Sequence, residues 1–278
     1  MSSTSYQILS DTVGASGDDT SSSASYQLRD SFGNDASGLG DSASYQGMLG
    51  YRSQIYDPVV AFAVYAQDTA SQVAAVSATS SSVDVTDASS YAAGDLIAVV
   101  QNEGASQITA IGRITSVSVN TLNIDEFTGG AITIDGNNDF VYALSGTTVP
   151  LASLTPSTLT TGIVAWEVNV DVTGGYSVYI FEDDDLKNGD GDAITDVSDG
   201  AVTLGETEYG ARSSDTSLAS STFDTQDTAI TSSLQEVGSR ASSSFESRDF
   251  VTLKAAVSDT ALDGSYDHNL TFIFVGNY

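Results

Sequence analysis

The densest set of possible ligands in this sequence is the run Asn188-Gly-Asp190-Gly-Asp192-Ala-Ile194-Thr-Asp196-Val-Ser-Asp199. Its spacing matches a calcium loop: Asn188, Asp190, Asp192 and Asp196 stand at positions one, three, five and nine, the Ile194 carbonyl at seven, and Asp199 in place of the bidentate glutamate at twelve. Carboxylates packed this closely repel one another, so a Ca2+ ion would stabilise the loop, with Asp183, Asp184 or Asp185 near enough to help. The run departs from the pattern in two ways. Ala193 occupies the place where glycine makes the sharp turn, and no flanking helices are predicted. The plainer expectation for the same residues is a solvated acidic loop.

Other chemistry is harder to build. His268 is the single histidine, set between Asp267 and Asn269 at a strand start, and the chain has no nucleophile elbow to complete a hydrolytic triad. No cysteine is present to act as nucleophile or to form a disulfide. A glycosidase cleft usually offers several exposed aromatic rings beside its paired carboxylates, whereas the one tryptophan, Trp166, lies on a core-facing parity. No phosphate-binding loop occurs. The sequence therefore predicts a protein that is not an enzyme and needs no cofactor beyond the calcium considered above. Lys254, on what reads as the outward parity of a strand, is expected to discourage edge pairing.

The 278 residues carry 37 acidic and 8 basic side chains, a formal charge of −29. Such a surface repels phosphate backbones and anionic lipid, which argues against nucleic acid as a partner. No apolar run approaches the ~18 residues of a spanning helix, so membrane insertion is not expected. Ser, Thr, Gly, Asp, Tyr and Val dominate over Lys, Arg and Glu, a composition that favours strands and an extracellular or cell-surface location. Met1-Ser-Ser-Thr lacks the regions of a signal peptide, so an exported protein would be represented by its mature form.

The elements that must carry these residues are strands. Val164, Trp166, Val168, Val170 and Val172 share one parity and Glu167, Asn169 and Asp171 the other, the alternation of a half-buried strand that needs a second sheet to cover it. Gly174-Gly175 suits a hairpin turn, with Tyr176 to Phe181 as the returning strand. Ala229 to Arg240 reads as one or two helical turns. The last strand, Asn269 to Val275, is apolar on both faces and is predicted to be central or covered on each side. Short strands in quick succession between Ala75 and Ser145 predict a small barrel. The fold class is thus all-β: an antiparallel β-sandwich (its first strand in 58–74, the remainder in 146–278), an inserted small β-barrel (75–145) and an extended N-terminal strand segment (1–57).

That N-terminal segment repeats itself. Ser5-Tyr6-Gln7, Ser25-Tyr26-Gln27 and Ser44-Tyr45-Gln46 each open a short strand, and the intervening GASGDDTSSSAS and GNDASGLGDSAS read as flexible connectors. Strands so poor in large apolar residues need an acceptor surface. Tyr6 and Ile8, Tyr26, Leu28 and Phe32, and Tyr45 are the candidate anchors.

The run Leu154-Thr-Pro156 to Gly162, the segment Gly175-Tyr176-Ser-Val-Tyr-Ile with its acidic loop, the stretch Asp199-Gly200 to Tyr209-Gly210 and the closing Gly264-Ser-Tyr266 to Gly276-Asn-Tyr278 together resemble a broad group of secreted bacterial surface β-sandwich proteins, many with Ser-Tyr-Gln or Ser-Tyr-Arg repeats near the N-terminus. The resemblance implies export and a structural role as an assembling subunit, with no catalytic residues. The expected function is a subunit of an extracellular filament or surface array, a homopolymer joined head-to-tail by strand addition. The alternative is a monomeric adhesin or carbohydrate-binding module that presents the inserted barrel to a cell-surface or extracellular polysaccharide.

Overall fold

The computed structural model describes residues 59–277 in full and the backbone of four earlier stretches: β1 (Asp18–Ser22), β2 (Gln27–Asp30), β3 (Ser37–Ser42) and β4 (Tyr45–Gly50). These four make an antiparallel sheet in sequence order, within a unit that ends at Pro58. β1 and β3 fall inside the polar runs expected to be flexible connectors, which corrects that expectation. β3 pairs along its whole length with β4, from Ser42 opposite Tyr45 to Ser37 opposite Gly50. Such close-range pairing overrides the low strand propensity of Ser, Gly and Asp.

The second unit, Val59–Tyr278, is also all-β, and no helix occurs among the described residues. β5 (Val60–Ala78) is a single strand of 19 residues that serves two structures. Its second half enters a ring of pairings with β6 (Ser82–Val85), β7 (Leu96–Gln101), β8 (Ile108–Ser118), β9 (Thr121–Ile124) and β11 (Phe140–Gly146); the short β10 (Thr128–Gly129) pairs with β8. The order β5-β6-β9-β8-β7-β11 returns to β5. Val83, Ile97, Val99, Ile114, Leu122 and Val141 fill one buried cluster within it. The change of pattern at residues 74 and 75 lies inside β5, which runs through it unbroken.

The first half of β5 pairs with β12 (Thr160–Val170), which continues into the rest of the large sheet: β18 (Ser244–Ala256), β16 (Glu208–Ser213), β15 (Ala193–Asp196) and β14 (Leu186–Lys187). A smaller sheet, β17 (Gln235–Arg240), β13 (Tyr176–Glu182) and β19 (Leu270–Gly276), runs in the order β17-β13-β19. The β12 valines and Trp166 pack with Tyr176, Val178 and Ile180 of β13 in the largest apolar cluster, the interior of a sandwich. The opposite parity of β12, Ile163 and Ala165, packs with Phe250 against Leu96, Ile111 and Tyr142. Both faces of the large sheet are therefore covered along β12.

Three strand expectations are corrected here. β12 and β13 do not form a hairpin: they belong to different sheets, and the Val172–Gly175 turn carries the chain from one layer to the other, with Gly175 at φ 75°. Residues 229–240 contain no helical turn, because Gln235–Arg240 is the strand that flanks β13. Among the described residues β19 is an edge strand with one partner, and its outward Ile273 and Val275 are 36% and 42% exposed.

Candidate assembly groove and acidic cluster

Part of a row of apolar side chains on β5 is left exposed, with no strand over it among the described residues. Val60, Phe62, Val64 and Ala66 stand opposite Val170, Val168, Trp166 and Val164 of β12, so they belong to the same interior face. The four β12 residues are buried, whereas Val60 is 45% and Val64 38% exposed. The smaller sheet ends at β19, with no further strand beside it among the described residues. Leu270, Phe272 and Phe274 on the inner parity of β19 are only half-buried.

The space between β19 and β5 is a cavity of about 1080 Å³ lined by Val64, Ala66, Leu151, Val164, Leu253 and Phe272 among others. The segment after β11 forms the far wall. Its approach is made possible by Gly162, where a Cβ would lie 2.1 Å from Val149 Cγ1. The Phe62 and Phe274 rings meet at 5.7 Å, and Trp166 lies 5.9 Å from Phe272. Val60 and Val64 are the exposed members of the row, whereas Phe62 between them is half-buried and Ala66 is buried. The cavity therefore lies at the Val64–Ala66 end of the row, where it offers apolar walls to alternate side chains of an added extended strand.

The acidic residues gather at one end of the sandwich, though in a different set from the one the calcium-loop spacing suggests. Asn188 Oδ1 accepts from Asp190 N at 3.0 Å and Asp192 N at 2.8 Å, and Asn188 Nδ2 donates to Asp192 Oδ2 at 3.0 Å. These residues form a self-capped turn. Ala193–Asp196 is then a strand paired with Leu186–Lys187 on one side and β16 on the other, so positions six to nine of the supposed loop are extended. Asp199 Oδ1 accepts from Ala201 N in a separate turn. Asn188, Asp190, Asp192 and Asp199 are therefore not brought together with Asp196.

Asp196 instead meets Glu182 and Asp185: a carboxylate oxygen of each lies within 4.8 Å of the other two. Glu182 continues the inward parity of β13 and is 3% exposed. His268 stands between this cluster and the groove, which it lines. Its Nδ1 is 3.2 Å from the Asp184 carbonyl and 3.1 Å from Glu182 Oε2, and its Nε2 is 3.1 Å from Tyr209 Oη. Burial disfavours the imidazolium, but Glu182 and the Asp184 carbonyl outweigh it and raise the histidine's pKa. Burial, reinforced by Glu182 and Asp185, pushes Asp196 up to about 6. Alternation could place Glu182 inward, but nothing local could reveal its meeting with Asp196, fourteen residues on in another sheet.

Lys254 is not an edge lysine. β18 is paired on both sides, and Lys254 Nζ lies 2.7 Å and 3.0 Å from the two oxygens of buried Asp227. Of the candidate anchors, Leu28 lies in β2 and Tyr45 opens β4, while Tyr6, Ile8, Tyr26 and Phe32 lie outside the described residues. No protein-family model, curated protein or solved structure significantly matches this chain.

Proposed function

We propose that this protein is a structural subunit of an extracellular filament or surface array, joined head-to-tail when the N-terminal segment of one copy adds as a strand to the next. The exposed Val60 and Val64, beside the edge of β19 that has no second strand partner among the described residues, carry this reading. An inserted strand would pair with β19 through its backbone and drop alternate side chains onto that row, completing the smaller sheet. The segment bearing Tyr6 and Ile8, two residues apart, has the matching period. Exposed apolar rows of this kind are costly for a protein that works alone. Because donor and acceptor are different surfaces, the contact propagates instead of closing into a dimer.

The test is electron microscopy and size-exclusion chromatography of the whole chain beside a chain lacking residues 1–57, whose remainder retains its own buried core. The whole chain is expected to assemble and the shortened one to stay monomeric. A whole chain that remains a monodisperse monomer, or a shortened chain that assembles equally well, overturns the proposal.

A further inference from the structure

Buried carboxylates in this protein are otherwise well provided with donors. Asp139 accepts from the amides of Asn102, Asp135 and Gly136; Asp215 from those of Ser217 and Ser239. Asp227 takes the Val202 amide and Lys254, Glu208 takes the Thr203 amide, and Asp249 takes Ser214 and Arg240. Glu182 is the exception. Its Oε2 is buried and accepts no hydrogen bond, the only carboxylate oxygen so placed among the described residues; its one cationic neighbour is His268, whose Nδ1 at 3.1 Å pairs with it only when the ring is protonated.

The neighbourhood compounds this. Asp185 and Asp196 crowd the same point from two other elements, the turn after β13 and the end of β15. His268 is the nearest positive group, with Nδ1 3.1 Å from Glu182 Oε2, but its ring nitrogens hydrogen-bond to the Asp184 carbonyl and Tyr209 Oη, and one imidazolium cannot balance three carboxylates. A buried oxygen without a donor costs free energy, and like charges at this separation add to it. A single ion between the three groups relieves both.

We infer that Glu182, Asp185 and Asp196 hold a hard divalent cation, calcium, between β13 and β15. The three side chains supply oxygen alone, which suits a hard ion over zinc or copper. They arrive from a strand end, a turn and a second strand with no enforced octahedron, which suits calcium over magnesium; solvent completes its shell at the half-exposed Asp185 and Asp196. The ion ties the small sheet to the large one where β13 ends. Its residues share Asp196 with the calcium loop expected from spacing and Asp185 with the carboxylates expected to help it, and add Glu182.

The experiment is isothermal titration of the chelator-treated whole chain with calcium chloride, with melting curves in calcium, magnesium and chelator. Wild type is expected to bind one calcium ion and to melt about 5 °C or more higher at saturation. Asp185→Asn/Asp196→Asn should lose both effects while melting no lower than wild type in chelator, because amides relieve the repulsion. Asp190→Asn/Asp192→Asn should retain both. No calcium binding up to about 5 mM, the weak end for extracellular calcium modules, overturns the site. So does binding that survives in the Asp185/Asp196 variant or vanishes in the Asp190/Asp192 variant. An equal response to magnesium overturns the choice of calcium.

Discussion

The rings of Phe62 and Phe274 stack at 5.7 Å and join β5 to the edge strand β19 across the sandwich interior. Among the described residues they are the one aromatic contact between β5 and β19. Phe62→Ala should lower stability by about 2 kcal/mol, from lost stacking and partial burial, as read by urea denaturation. Val64→Asp, at a position already 38% exposed, should change monomer stability by less than about 1 kcal/mol. It should nevertheless abolish assembly, because an inserted strand would bury the new charge. A Val64→Asp protein that assembles normally would move the docking site elsewhere.

Gly238 lies under Trp166. A Cβ there would stand 2.7 Å from Cζ2 and 3.3 Å from Cε2 of the indole, whose Nε1 is buried without a partner and so is held by shape alone. Gly238→Ala should cost about 1–3 kcal/mol through overpacking. The tryptophan emission maximum should shift as the ring is displaced. Unchanged emission and stability would mean that β17 moves aside freely.

Lys254 and Asp227 form an ion pair with side chains 17% and 7% exposed. Lys254→Met leaves the Asp227 carboxylate buried without its cation, and should destabilise by about 3–5 kcal/mol. Adding Asp227→Asn keeps an oxygen for the Val202 amide while removing the stranded charge, so the double variant should regain a large part of the loss. Additive losses in a thermodynamic cycle would show that the two side chains act separately.

Asp249 lies 2.7 Å from Arg240 inside the sandwich. Burial pushes its pKa up to about 6 from 3.8, with Arg240 opposing the rise and Asp215 adding to it. The folded state thus holds this proton more tightly than the unfolded chain. The resulting stabilisation is fully present below pH 3.8 and disappears as the pH rises through about 6. Relative to Asp249→Asn, wild type should lose up to about 3 kcal/mol between the two limits. Asp125 and Glu167 have lowered values and act in the opposite direction at lower pH, but their effect cancels in this comparison. A stability difference that stays flat with pH would show that Asp249 ionises normally.

The class of the fold was legible in the chain because alternation is local: the parity of Val164 to Val172 against Glu167 and Asn169 fixes a strand with one core-facing side whatever its partners, although the burial of Ile163 and Ala165 on the other side was not visible in it. The same parity identified Trp166 as a core residue, and it is fully buried. Partnership between strands was not legible. Gly174-Gly175 permits a hairpin or a step between layers equally well, and the choice fell to the contacts that β12 makes with β5 and β18. The double apolar face of β19 predicts cover on both sides, yet only the assembled sandwich shows that its outward side is partly exposed.

At the acidic end the division is sharper. Spacing along the chain groups Asn188, Asp190 and Asp192, since neighbours in sequence are the only neighbours a sequence can display. The backbone amides of that turn satisfy Asn188, and the strand after it carries Asp196 away to Glu182 and Asp185. Residue types and periodicity thus determined that the protein is built of strands and rich in carboxylates. Which carboxylates converge, and which apolar row is left partly exposed, depended on long-range pairing between sheets, because separations of that kind are set by the packing of whole layers and leave no local trace.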